Sequence, residues 1–538
     1  MTNLFNRYSL IIVFLIALLS SYRLFLPGYF SMQDDMHVFR LQQFDQCVRD
    51  LQIPCRHIAD GGFGYGYPLY NYYSPFPYAY AEVFHLLGFS FIDSLKISFI
   101  TPNFIRAFSM YLLGTALFGP AGGLLSSALY TLAPYMAVNN FVRGALAEHW
   151  ALSILPLVFW AFYKSKYNLF IKSLAILFLS HNLTTLYVLP SLFLFALVTG
   201  KIKPLLKNSF ISFLISAFFL LPAFFEKNLV TVNTMTQGYF QYIIHFATLN
   251  ELFISRFWGY GASLWGPKDD MSFQIGFVHW ILPLVIFLYA LFNSKLKHRK
   301  FILSFFVLGS FAIFLTHNKS TSIWKLLPFM AFYQFPWRFL GLAVFCFAII
   351  SGSLTQIKFL KKILYPLILF LVVAVITLNF SYFHEDIRYP YLTDSQKLSP
   401  AEIYRQSGAG LKDYWPSGTA EFPTVMAPGE PSAVSGTFEN LSFVKKSNLI
   451  TGQVKVVTPT ADLILPVTNF PVWKLTINNN PADFSVDPKY GQIILHLGSG
   501  LNTFKLSFTN TPLRTFANLL SLIGLAIYII KLIREKHL

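Results

Sequence analysis

Apolar runs dominate the chain, and polar positions are confined to the stretches between them. Twelve runs approach the length of a crossing helix, near residues 10–26, 95–117, 121–136, 147–162, 169–180, 183–198, 210–225, 275–292, 301–315, 339–350, 363–378 and 516–530. A helix perpendicular to a bilayer needs ~20 apolar residues. The shorter runs are therefore expected to extend past these bounds or to be shielded by neighbouring helices. Near the C-terminus the period changes to two, in Gln453–Val457, Trp473–Ile477, Gln492–Leu497 and Asn502–Phe508, with turn formers such as Asn478-Asn479-Asn480-Pro481 and Gly498-Ser499-Gly500 between them. The pattern predicts a polytopic α-helical membrane protein of about 12 transmembrane helices, with a β-rich, sandwich-like domain before the last helix. Its parts would be a membrane domain over 1–382 with a long loop at 27–94, a β-rich domain over 383–512, and a final helix with its tail over 513–538.

Composition agrees with this reading. Hydrophobic residues make up 55% of the chain and charged residues 12%, against about a quarter charged in ordinary soluble proteins. The formal charge of +17 would suit nucleic acid if it formed a patch. Instead the basic residues fall in short loops: Lys164 and Lys166; Lys201, Lys203 and Lys207; Lys295, Lys297, Arg299 and Lys300; Lys358, Lys361 and Lys362; Lys531, Arg534 and Lys536. With twelve helices all of these loops share one side, which the positive-inside rule makes cytoplasmic. The expectation is a multi-pass plasma (inner) membrane protein with both termini cytoplasmic, an extracytoplasmic β-domain and no nucleic-acid partner. Arg7 precedes the first apolar run as in a signal peptide, but no small-x-small cleavage site follows, so that run is expected to be a retained helix. Cys346 lies in a run. Cys47 and Cys55 share the 27–94 loop, where a disulfide and two free thiols both remain open.

Candidate chemistry gathers in the loops opposite the lysines. Asp34 and Asp35 follow the first run closely. One could act as a general base, or the pair could hold a divalent cation with His37 nearby. Capping of a helix over 36–51 would account for one of them, but not both. At the start of the fourth run Arg143 and Glu148 are five apart, with His149 alongside; charges there are functional candidates unless they merely pair and anchor the helix end. In QFPWR, Gln334 and Arg338 could clamp a phosphate, or Trp337 and Arg338 could anchor at the interface. His181, Asn182 and Glu226 cap runs on the same side, and Arg106 falls inside the second run. Tyr67 and Tyr70, in a Gly- and Tyr-rich stretch, could stack on sugar rings or form an interfacial belt. GGFGYG (61–66) opens no helix, so it carries no nucleotide-binding reading.

QDDMHVFR (33–40), GFGYGYPLYNYYSPFPY (62–78), VRGALAEHW (142–150), SHN (180–182), LPAFFE (221–226) and QFPWRFL (334–340), in that order, resemble the bacterial integral membrane family labelled "6-pyruvoyl-tetrahydropterin synthase-related". That label does not describe this chain, which carries nothing like the zinc histidines of the small soluble pterin enzyme. The family in turn is similar to the GT-C glycosyltransferases, polytopic enzymes that use polyprenyl-phosphate sugars and carry an acid in the first outer loop, a position matched here by Asp34 or Asp35. The resemblance implies transfer of a sugar from a polyprenyl-phosphate carrier to a glycan, lipid or protein acceptor in cell-envelope assembly, on a GT-C-like fold. The roles of Arg143, Glu148 and Arg338 are read from residue type and position rather than from the resemblance. On this reading Asp34, Asp35 and Glu148 are catalytic candidates, and Arg143, His149, His181, Gln334, Arg338, Tyr67 and Tyr70 contact substrate. No cofactor is assigned, and a divalent cation remains open at the aspartate pair. A non-enzymatic alternative is a flippase-like transporter or a scaffold of envelope biogenesis; a transporter should place its polar residues at mid-bilayer depth.

Overall fold

The computed structural model describes residues 2–266 and 269–536. Among the described residues nine helices are long and apolar enough to cross a membrane, and two shorter apolar helices, Tyr167–Ser180 and Phe277–Phe292, lie among them. Every apolar run of the sequence falls on a helix, but the correspondence is not one to one. Runs two and three are the arms of one 41-residue element, Phe91–Thr131, bent at Gly119 with φ 83°. Glycine tolerates that backbone, and Pro120 restarts the helix behind it. The arms fold against each other: a methyl on Gly114 would sit 2.8 Å from the Gly123 Cα, and Ser127 Oγ donates to the Ala107 carbonyl at 2.7 Å.

The lysine-rich loops collect at one end of the bundle. Lys531 Nζ donates to Asn208 Oδ1 at 2.8 Å, and the rings of Phe118 and His298 meet edge-on at 5.8 Å. The opposite end carries the 27–94 loop, the segment after residue 383 and the β-domain. In that loop a Cys47–Cys55 disulfide closes the helix His37–Arg49 onto the irregular stretch that follows it. Tyr29–Phe30 pairs antiparallel with Arg388–Tyr389, so the start of the loop and the far segment are stitched together. The buried Glu385 carboxylate accepts from Arg23 at 2.9 Å and from Arg388 at 2.6 Å, which fixes that junction to the end of the first helix.

The β-domain is one seven-stranded antiparallel sheet from Ser432 to Phe508, built on two long strands, Leu449–Thr468 and Gln492–Phe508. Register breaks near Val456 and Thr460 divide the long pair. One half carries Phe438–Lys445 on one side and Trp473–Ile477 followed by Asn480–Ala482 on the other, and the second half carries Ser432–Ser435 and Ser485–Val486. Both halves contribute to one core, with Ile450, Val454 and Phe504 from the first and Leu463, Leu465 and Leu495 from the second, which is how a sandwich buries its faces. The preceding segment, irregular by composition, holds the short helices Asp394–Lys397, Pro400–Gly408 and Leu411–Tyr414. They form a strap lying on the 27–94 loop rather than on the sheet.

Glu226, at the end of helix Ile202–Phe225, ties the last helix to this end of the bundle. Its carboxylate accepts from Arg514 Nε at 2.7 Å, Thr511 Oγ1 at 2.6 Å and Asn71 Nδ2 at 3.1 Å, and Asn71 in turn accepts from Arg56 at 3.0 Å. Two buried guanidiniums thus share one carboxylate, and removing it leaves both without a counter-charge. Glu226→Ala is expected to cost about 3–5 kcal/mol of stability, read as a fall in thermal midpoint of the purified protein. Adding Arg514→Leu should return part of it, because the orphaned cation is then gone.

Candidate functional site

A cavity of 690 Å³ opens where the apolar helices end beneath the strap. Its geometry starts from a backbone contact. The amides of Gln33 and Asp34 donate to the carbonyls of Val142 and Arg143 at 3.0 and 2.9 Å, so the aspartate enters the cavity beside the arginine. The partner strand is a π-helical turn, Val138–Val142, ended by Gly144 at φ 62°. Single π turns tend to occur where a helix is interrupted to expose functional groups. Any Cβ on Gly144 would strike the Met32 side chain, so glycine is required by space as well as by conformation.

The two adjacent aspartates have different fates. Helix His37–Arg49 is capped by Met36 without a side-chain hydrogen bond, so neither aspartate serves as the cap. Asp35 is turned out of the cavity; its Oδ2 accepts from Lys397 Nζ at 2.7 Å and Arg405 Nη2 at 2.8 Å, and so holds the strap down. Asp34 lines the cavity and makes no hydrogen bond through its carboxylate. Burial raises its pKa, opposed by the charges of Arg143, Arg40 and Arg338. Expected as a pair, the aspartates therefore act as one structural and one available carboxylate. His37 is occupied at both nitrogens, by Tyr78 Oη at 2.8 Å and the Gly144 carbonyl at 2.6 Å. The charges around Asp34 are the guanidiniums of Arg143, Arg40 and Arg338 and the carboxylates of Glu148 and Asp413, and no group of three or more His, Cys, Asp or Glu able to hold a metal occurs among the described residues.

Glu148, in the first turn of Leu146–Tyr163, organises the cations. Its Oε2 accepts from Arg143 Nη1 at 2.8 Å and lies 3.7 Å from Arg338 Nε, while Tyr135 donates to Oε1 at 2.6 Å. Asn139 takes a further hydrogen bond from Arg143. The Arg143 guanidinium also lies 4.6 Å from the Trp337 ring centroid, a cation–π contact. Burial works against the charge on Arg143, but Glu148 and Tyr135 hold its pKa above the usual range. Arg338 Nη1 donates to the Tyr333 carbonyl at 2.7 Å and Gln334 Oε1 at 3.1 Å. Gln334 sits at φ 60°, a conformation costly for a side chain with a Cβ, and turns the backbone so that both residues face the cavity. Trp337 is buried and donates to Ser263 Oγ at 2.9 Å, so it packs the site and does not anchor in lipid headgroups.

His181 lines the cavity next to this cluster. Its Nδ1 takes the Thr184 amide at 3.3 Å as a helix cap and lies 2.7 Å from Thr184 Oγ1. Burial lowers its pKa to about 3, so it is neutral despite Glu148. Three expected contacts lie elsewhere. His149 points into the bundle, 3.1 Å from the Phe99 carbonyl and 3.5 Å from the buried Arg106, because the helix start that aims Glu148 at the cavity turns the next residue away. Tyr67 and Tyr70 are buried inside the 27–94 loop, where Tyr70 Oη donates to the Arg40 carbonyl at 2.7 Å. Tyr72 and Tyr73 take the place facing the cavity.

Arg40 and Asp413 are functional candidates that residue patterns did not single out. Arg40 lies three residues into its helix, so its position over the Tyr73 ring, at 4.3 Å, depends on tertiary packing. Asp413 comes from the strap, far along the chain. The only sequence signal for either was a charge within a motif or a loop, which is weak.

No family model matches the chain, and no solved structure matches it. It is similar to an uncharacterized protein of Lactococcus lactis subsp. cremoris (strain MG1363), 26% identical over 338 residues, which cover 56% of this chain and 52% of the relative. The chain thus spans about half the length of that curated relative.

Proposed function

We propose that the chain is a GT-C-type membrane glycosyltransferase that transfers a sugar from a polyprenyl-phosphate carrier to an acceptor hydroxyl during cell-envelope assembly. The observation that carries this reading is the unpaired Asp34 carboxylate beside Arg143, Arg338 and Arg40 in one cavity at the ends of apolar helices. A lipid-linked phosphate needs such a place, because its head requires cations and its tail requires the bilayer. Leu183, Ala223 and Phe332 supply an apolar wall to the same cavity.

In the reaction, the bond between the sugar's anomeric carbon and the carrier's phosphate oxygen breaks as a bond from the acceptor oxygen forms. Asp34 takes the acceptor proton. Arg143 and Arg338 stabilise the departing polyprenyl phosphate, and Glu148 positions both guanidiniums. Counting Phe91–Thr131 as two spans and the shorter apolar helices as one each supports a twelve-span inner-membrane topology. The positive-inside rule then makes the lysine end cytoplasmic and the cavity extracytoplasmic. A transporter would hold these polar groups at mid-bilayer depth, whereas they gather at the helix ends.

The two aspartates make the test. Strains whose sole copy carries Asp34→Asn or Asp35→Asn are compared for envelope glycans and protein level. Asp34→Asn is expected to abolish the glycan at normal protein level, consistent with a roughly 10²–10⁴-fold loss from removing a general base. Asp35→Asn should lower protein level through a loosened strap while the remaining protein still works. Unchanged glycans with Asp34→Asn would refute the assignment.

A pH profile gives a second check. Because burial raises the Asp34 pKa, the ionised base is lost at a higher pH than for an ordinary aspartate near ~4. Transfer by isolated membranes should fall with unit slope as pH drops through this raised value, and an acid limb at or below the ordinary value would contradict a base whose pKa is raised.

A further inference from the structure

The cavity has two ends of opposite electrostatic character, and the transferase reading uses only one of them. At the first end Arg143 and Arg338 face Glu148, two guanidiniums to one carboxylate, an arrangement suited to phosphate. At the other end, under the strap, Arg40 faces two carboxylates, Asp34 and Asp413. The charged neighbours of Asp413 are Arg40 and Asp34, whereas those of Arg338 are Arg143, Glu148 and Asp34. Asp34 therefore stands at the junction of the two ends.

The strap presents Asp413 on a fixed backbone. Thr231 and Thr234 hydroxyls donate to the Lys412 carbonyl at 2.7 and 2.8 Å, and the Thr231 amide donates to the Trp415 carbonyl at 2.9 Å. The Tyr414 ring lies parallel to Tyr72 with centroids 5.9 Å apart. Gly410, in the left-handed region at φ 69°, sits between the two polar groups: a methyl there would come 3.4 Å from Arg40 Nη2 and 3.9 Å from Asp413 Oδ2. The space between guanidinium and carboxylate is thus kept open by the missing side chain. A phosphate would meet two carboxylates here and be repelled. A neutral polyol fits, since carboxylates accept from hydroxyls, a guanidinium donates to them, and the tyrosines of this wall meet the C–H faces of a sugar ring.

We propose that Asp413, Arg40 and Tyr73, around Gly410, form a subsite for a saccharide acceptor, which places one of its hydroxyls against Asp34. This rests on the transferase reading and narrows the acceptor to a sugar, away from a protein or an apolar lipid. Asp413 is a substrate-binding residue in this arrangement and takes no part in proton transfer.

The test uses the full chain in lipid nanodiscs and two probes. Saturation-transfer NMR reads binding of the methyl glycosides of glucose, galactose, mannose and N-acetylglucosamine, and a separate titration reads binding of undecaprenyl monophosphate. At least one glycoside is expected to bind the unaltered protein. Its affinity should fall about tenfold or more in Asp413→Asn and in Tyr73→Ala, while undecaprenyl monophosphate binds both variants within twofold of the parent. That retained lipid binding also shows that the variants are folded. Absence of any glycoside signal, or glycoside binding unchanged by Asp413→Asn, overturns the subsite and leaves the transferase reading standing. Failure of the unaltered protein to bind undecaprenyl monophosphate overturns the transferase reading and the subsite with it.

Discussion

One buried carboxylate, Glu148, holds the site together. Arg143 belongs to the turn between two helix ends and Arg338 to a re-entering segment far later in the chain, yet both guanidiniums converge on the same oxygen. Placed that close, two cations repel unless a negative charge lies between them, and in a partly dry cavity that repulsion is weakly screened. Tyr135 donates to the other oxygen and fixes the carboxylate's orientation. The pair of arginines is thereby held ready while each keeps donor groups that Glu148 does not use. On the proposed function this is electrostatic preorganisation, with the cations set in place before the carrier phosphate binds.

The surrounding architecture follows from bringing that cluster within reach of Asp34. The hydrogen bonds from Gln33 and Asp34 to Val142 and Arg143, with that of His37 to the Gly144 carbonyl, link the first loop to the arginine turn. Around them lie several fastenings: the Tyr29–Phe30 pairing with Arg388–Tyr389, the Glu385 junction, Asp35 with Lys397 and Arg405, and Glu226 with Arg514. Each joins a loop to a distant segment at the same end of the bundle. Their number reflects a physical need, because loops at helix ends lack the regular backbone bonding of the spans and must find partners elsewhere.

The fold was more legible in the sequence than the site. Apolar run length and period-two alternation depend on local composition, so the helices and the sheet region appear where those patterns lie. The hairpin at Gly119 was also readable as two runs, though composition could not show that one bent element carries both. The site residues divide by what decides them. Asp34, Arg143, Glu148 and Arg338 are charges beside apolar runs, where an unpaired charge is costly, and position alone marks them. His149 and Glu148 are neighbours in sequence, but helical geometry sends them to different sides. Which of Tyr67, Tyr70, Tyr72 and Tyr73 faces the cavity depends on how the 27–94 loop folds, and Asp413 depends on where the strap crosses it. No local pattern carries that information.

The separation of Asp34 from Asp35 shows how the chain resolves a conflict of charge. Two adjacent carboxylates in one low-dielectric cavity would raise each other's pKa, and one of them would be protonated. Turning Asp35 outward to Lys397 and Arg405 removes that repulsion and supplies a strap anchor. Burial then raises the Asp34 pKa, and the nearby guanidiniums oppose that rise. The strap that Asp35 secures is the same one that delivers Asp413 to the far end of the cavity. Loss of the outer aspartate would therefore act first on the roof, because Lys397 and Arg405 belong to the strap whereas Glu148 holds Arg143 and Arg338.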